Sequence, residues 1–142
     1  MGNIYIEQLH NLFMLLSIPL VSCCISTWNR VDDLRKCIES IQSQSYPNIE
    51  IVIVDNCSTY GTFEYCMELG CTYHRMENSK STAMETLNLA FSMASGEYIL
   101  VLDDDAEMID FHTITKLIDY MEFDKCIAIM GVDVIGDDGN PQ

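Results

Sequence analysis

The stretch "IEIVIVD" (49–55) decides how the chain is read. Ile51, Val52, Ile53 and Val54 are contiguous and β-branched. Successive side chains of a strand point to opposite faces, so such a run is buried only where both faces are covered. Two covered faces are the mark of a parallel sheet layered by helices. The flanking sequence agrees. Upstream, "LVSCCIST" (20–27) is a second β-type run, and "VDDLRKCIESIQSQ" (31–44) sets Leu34, Cys37, Ile38 and Ile41 on one helical stripe. "SYPN" closes that helix, because Pro47 disfavours helical geometry at Tyr46.

Downstream the alternation continues. "GTFEYCMELG" (61–70) reads as a short helix stopped by Gly70, and "CTYHR" (71–75) as a weak strand. "STAMETLNLAFSMASG" (81–96) reads as a helix with Ala83, Leu87, Ala90, Phe91 and Ala94 on one side. "EYILVLD" (97–103) is expected to be another buried strand, "FHTITKLIDYME" (111–122) a helix and "CIAIMGVDVI" (126–135) a last strand. This order predicts an α/β domain over 19–142, a mostly parallel sheet flanked by helices with right-handed crossovers. The turn-rich end "GDDGNPQ" has no returning strand, so the domain is expected to be truncated at its C-terminus. Residues 1–18 read as an amphipathic helical extension, with "IYIEQLHNLFMLL" packing on the domain or a partner. Membrane-surface contact through 4–18 is the lesser reading, since that stretch has no Lys or Arg.

Bulk properties narrow the function. The chain has 142 residues, 49% of them hydrophobic, which suits one folded domain. A formal charge of −15 excludes a nucleic-acid partner, because phosphates need Lys and Arg to neutralise them. The seven cysteines form no C-x-x-C pair and sit largely in apolar runs, as reduced thiols of a cytoplasmic protein do. Neither a Walker P-loop nor G-x-G-x-x-G occurs.

Ligands of open α/β sheets bind beyond the carboxyl ends of the strands. Those ends carry Thr27, Trp28 and Asn29, then Asp55, Asn56 and Ser58, then Asp103, Asp104 and Asp105. In "ILVLDDDAEM" (99–108) an apolar strand runs into three like charges, which repel one another unless water or a cation separates them. Strand alternation lets Asp103 and Asp105 point one way, a hard oxygen pair suited to Mn2+ or Mg2+. The plainer readings are a solvated acidic turn with Asp105 or Asp110 capping the next helix, and Asp55 as a cap for its own turn. His10, His74 and His112 are scattered and read as structural or exposed.

With these residues in place, "PLVSCCISTWNRVDDLRKCIESIQSQSYPNIEIVIVDNCSTYGT" followed by "LNLAFSMASGEYILVLDDDAEM" resembles the nucleotide-sugar-binding half of family-2 glycosyltransferases, which have the Rossmann-like GT-A fold. The resemblance implies transfer of a sugar from a nucleoside-diphosphate sugar to an acceptor hydroxyl of a glycan, lipid or protein, with inversion. It implies that Thr27 and Asn29 edge the nucleotide pocket, with Ser58 in the same set. Asp55 and Asn56 face the base, one of them holding its imide N–H. Asp104 lies near the ribose or sugar, and Asp105, aided by Asp103, binds Mn2+ or Mg2+. Asn56 stands where many members carry a second aspartate, and Tyr60 where "STDGT" has one. The family's general base and acceptor site are expected beyond Gln142, while the cysteine usage points to a cytoplasmic protein, with peripheral contact at the inner membrane face as the lesser reading of 4–18. Two rivals remain on the residues alone. One is a haloacid-dehalogenase-like phosphatase with Asp103 as nucleophile and Asp105 as acid; the other is a non-catalytic nucleotide-sugar-binding fragment.

Overall fold

The computed structural model describes residues 18–133 and Ile135. The expected N-terminal helix over 4–16 and the turn at 136–142 lie outside them. Among the described residues four strands and four helices alternate: β1 (Val21–Thr27), α1 (Val31–Gln42), β2 (Ile49–Asp55), α2 (Thr62–Leu69), β3 (Thr72–Arg75), α3 (Ala83–Met93), β4 (Tyr98–Asp103) and α4 (Thr113–Phe123). The strands form one parallel sheet in the order β3-β2-β1-β4.

Helices lie on both faces, as the β-branched run of β2 requires. On one face Leu34, Cys37, Ile38 and Ile41 of α1 pack with Cys23, Ile25 and Ile53 of the sheet, together with Cys66 of α2 and Ile114 of α4. On the other, Ala90 of α3 packs with Cys24, Val52 and Val54. Burial, with the neighbouring Cys24, Cys37 and Glu50 adding to it, raises the Cys23 thiol to about 12, so it is an inert filler of the core. The termini of the helices follow local chemistry. Thr82 and Glu85 form a reciprocal capping box at the start of α3, and Gly70 ends α2 in the left-handed region at φ 70°. Asp110 accepts from the His112 N–H at 2.8 Å just before α4, so it shapes the turn there without capping the helix itself.

Two expectations are corrected. β4 is not buried on both sides: Ile99 and Val101 are each 47% exposed. The sheet order puts β4 at an edge, and α3 packs over β1 and β2. The last strand does not form: Cys126–Asp133 is irregular and Ile135 makes an isolated bridge. Among the described residues, 126–133 pair with none of the four strands, and pairing is what stabilises a strand.

The opposite, N-terminal rim of the sheet is tied by Glu50. Its carboxylate accepts from the Ser22 hydroxyl, from Ser95 N at 2.6 Å and Oγ at 2.8 Å, and from Gly96 N at 3.2 Å. A side chain at Gly96 would meet Ser22 Oγ at 2.5 Å and Leu20 O at 2.6 Å, so the "SGEY" turn needs glycine for close approach.

Candidate functional site

The strands end level. Thr27 pairs with Asp55 and Ser26 with Asp103, so the loops that follow β1, β2 and β4 leave the sheet side by side. Every binding residue expected from the sequence lies on this rim, and direct bonds join most of them. Thr27 Oγ1 donates to Asp104 Oδ2 at 2.7 Å, bridging the ends of β1 and β4. Asn56 N donates to Thr27 O at 2.8 Å. Asn29 N donates to Ser58 Oγ at 2.8 Å, and Asn29 Oδ1 accepts from Thr59 N at 2.9 Å. Asn29 and Cys57 both adopt positive φ, 55° and 64°, a conformation non-glycine residues take mainly in tight loops and sites.

Asp55 and Asn56 are adjacent but differ in what they have left to offer. Asp55 is fully buried and committed to the protein. Its Oδ1 accepts from Ser58 N at 2.8 Å and Ser58 Oγ at 2.5 Å, while Oδ2 accepts from Tyr73 OH at 2.7 Å with Arg75 Nε 3.9 Å away. Burial, then the neighbouring Asp55 carboxylate, push the Tyr73 phenol well above its usual range, so it remains a donor. Asn56 donates from Nδ2 to Ser81 O at 2.9 Å, yet its buried Oδ1 has no partner. A buried acceptor left unpaired costs about 1–3 kcal/mol, which a ligand N–H would recover. A ligand must first displace whatever covers that oxygen.

The acidic turn is arranged differently from simple alternation. β4 ends at Asp103, whose register partner Ser26 lies on the α3 face, where Ser26 Oγ meets Thr86 Oγ1 at 2.7 Å. The chain then turns, and Asp104 and Asp105 both reach Arg30: Nη1 is 2.6 Å from Asp105 Oδ2 and 3.4 Å from Asp104 Oδ1. The recorded contacts therefore bring together Asp104 and Asp105, and not Asp103. Asp104 is buried, and desolvation leads the causes that raise its pKa, against the lowering effects of Thr27 and Arg30. Arg30 was not singled out from the sequence. Its signal was there: a lone cation directly after the β1 loop, in a chain with 7 Lys and Arg against 22 Asp and Glu.

No cluster of three or more His, Cys, Asp or Glu converges among the described residues. Mg2+ and Mn2+ do not require one, since such ions keep waters and take phosphate oxygens beside one or two carboxylates. The guanidinium that already lies against both carboxylates shows that a cation can be received there. The donor set is hard oxygen, half open to solvent at Asp105. It fits a divalent ion.

Comparisons with known proteins point the same way. The family described as Glycosyl transferase family 2 matches residues 22–142. A curated Escherichia coli protein, UDP-Glc:alpha-D-GlcNAc-diphosphoundecaprenol beta-1,3-glucosyltransferase WfaP, is 34% identical over 114 residues, 75% of this chain and 43% of that protein. The crystal structure of S. aureus TarS 1-349 in complex with UDP-GlcNAc superposes with a TM-score of 0.67 at 23% identity, over 73% of this chain and 31% of that one. The mannosyltransferase PcManGT from Pyrobaculum calidifontis, in complex with GDP-Man and Mn2+, gives a TM-score of 0.67 at 24% identity, over 81% and 34%. These likenesses identify the fold as GT-A. The chain spans half or less of the length of the curated relatives it matches.

Proposed function

The chain belongs to glycosyl transferase family 2, and from that premise we propose that it is the donor-binding portion of an enzyme that transfers a sugar from a nucleoside-diphosphate sugar to an acceptor hydroxyl. The observation that carries this reading is the stitched rim: three strand ends meet, Thr27 bonds Asp104, and Asn29 bonds Ser58 across the two loops. Asn56, through its unpaired Oδ1, receives the imide N–H of a uracil-like base. Asp55, Ser58 and Tyr73 hold the loop that presents it. Thr27 fixes Asp104 toward the ribose or sugar, and Asn29 sets the edge of the pocket.

Asp105, beside Asp104 at the same turn, binds Mn2+ or Mg2+. When bound, such an ion supplies Lewis-acid stabilisation of the charge that grows on the departing diphosphate. The transfer is inverting, with an acceptor hydroxyl of a glycan or lipid displacing the diphosphate from the opposite side. A cytoplasmic setting completes the reading, and the seven free cysteines favour it. The haloacid-dehalogenase-like alternative finds no support, since the match of residues 22–142 is to a glycosyltransferase family.

The test is a panel of nucleoside diphosphates, each with Mn2+ and with chelator, read by thermal shift and calorimetry. UDP binding that depends on the metal is the expected result. Equal affinity in chelator removes the metal from the proposal. Failure of every nucleotide to bind a folded chain removes the donor site.

A further inference from the structure

The positive charge met by Asp104 and Asp105 in this structure comes from the chain itself. Arg30 precedes α1, and its side chain crosses the rim so that a single nitrogen, Nη1, touches both carboxylates. The two ends of this contact are unlike. Asp104 is buried and anchored by Thr27. Asp105 and the Arg30 side chain are about half exposed, at 54% and 52%. An exposed ion pair shifts an equilibrium by about fivefold or less, so a divalent ion can replace the guanidinium at Asp105. The link to the buried Asp104 is the part that persists.

Resting on the donor-site reading above, we propose that Arg30 is a positioning residue that occupies the cation's place in the free protein and passes to the diphosphate when the donor arrives. It releases Asp105, keeps Asp104 as its pivot, and turns its freed N–H groups to an anionic diphosphate oxygen. Guanidinium suits this exchange, because its planar fork can bond a carboxylate and a phosphate at once. No covalent bond changes; only partners are exchanged. The arrangement has a thermodynamic signature. A divalent ion arriving alone must displace Arg30 and leaves it with nothing at the vacated side, so it binds weakly. A diphosphate supplies the new partner, so ion and diphosphate each raise the other's affinity by the same factor. Removing the guanidinium removes the competition and its share of the coupling, and leaves the direct attraction between ion and diphosphate.

The experiment compares the full chain with Arg30→Met and Arg30→Lys, each first shown to melt cooperatively. Free Mn2+ is counted by electron paramagnetic resonance, without nucleotide and then with saturating UDP. Arg30→Met is expected to bind Mn2+ alone about fivefold tighter. The factor by which UDP raises Mn2+ affinity is expected to fall about tenfold, and Arg30→Lys to recover part of both effects. A merely structural arginine would not tighten metal binding when removed. Unchanged or weaker Mn2+ binding in Arg30→Met overturns the competition, and tighter binding with undiminished coupling overturns the hand-over. If UDP has no effect on Mn2+ even in the unaltered chain, the donor-site reading fails, while the nucleotide-free arm still decides whether Arg30 competes. Absence of Mn2+ binding in all three chains overturns both.

Discussion

Replacing Asp55 separates two roles that its position leaves entangled, support of the loop and contact with the base. Asp55→Asn conserves volume and retains an acceptor at Oδ1, so the two bonds from Ser58 survive without charge assistance. The new amide N–H group faces the Tyr73 hydroxyl and the Arg75 guanidinium, where a carboxylate oxygen accepted from one and attracted the other. Bonds to a charged group contribute about 1.5–3 kcal/mol and neutral ones about 0.5–1.5, so three weakened bonds lose about 3 kcal/mol. Relief of the desolvation cost of a buried carboxylate returns part of that. The expected net loss is about 2 kcal/mol. Asp55→Ala strands the Ser58 N–H, the Ser58 hydroxyl and the Tyr73 hydroxyl, and is expected to cost about 4 kcal/mol or more. A domain of this size has only about 5–15 kcal/mol in all. Urea unfolding followed by circular dichroism measures both, with an unchanged slope certifying that the native state is otherwise intact. UDP affinity, measured below the transition, is expected to change little in Asp55→Asn. A destabilisation under about 0.5 kcal/mol accompanied by a large loss of UDP affinity refutes the reasoning, for the carboxylate would then be serving the ligand and not the loop.

Asn56→Ala should show the converse, UDP binding weakened about tenfold in calorimetry with a stability loss of about 1 kcal/mol, since it removes an acceptor with no partner in the protein and a single donated bond, Nδ2 to Ser81 O. Gly96→Ala forces a methyl against Leu20 O and Ser22 Oγ, and a loss of about 1–3 kcal/mol in a urea melt is expected. Glu50→Gln should flatten the acid limb of the stability curve. Desolvation alone would raise the Glu50 carboxyl, but the hydrogen bonds from Ser22, Ser95 and Gly96 together outweigh it and hold the group below the usual carboxylate range. Its contribution is therefore full above the unfolded-state pKa and lost as pH falls through the lower folded value. Unfolding midpoints between about pH 5 and 3 should fall more steeply for the unaltered chain than for the variant. Thr82→Ala breaks the capping box at α3 and should cost about 1 kcal/mol by thermal melting, with α4, which has no side-chain cap, unaffected.

How far the sequence could be read depends on whether the deciding interaction is local. The β-branched core of 49–55, the stripe at Leu34, Cys37, Ile38 and Ile41, and the stop at Gly70 are each fixed by residues within one turn or one strand, and the structure has them where the pattern puts them. Hydrophobicity is blind to neighbours, and there the reading failed. "YILVLD" is as apolar as "IEIVIVD", but one strand is central and the other is an edge, which depends on sheet order and not on composition. "CIAIMGVDVI" fails likewise, because a strand needs a partner that its own residues cannot name. The rim follows the same division. That Thr27, Asp55 and Asp104 gather at the strand ends follows from the parallel register, which the alternation of elements dictates. That Asp55 is spent on Ser58 and Tyr73 while Asn56 keeps an open acceptor is a matter of which side chains close on which oxygen. Arg30 makes the point most sharply. It stands 74 residues before Asp104, and only the β1–β4 pairing, set by the crossover of the intervening chain, carries its guanidinium to the acidic turn. Whatever the rim binds, it binds against a charge the chain has already placed there.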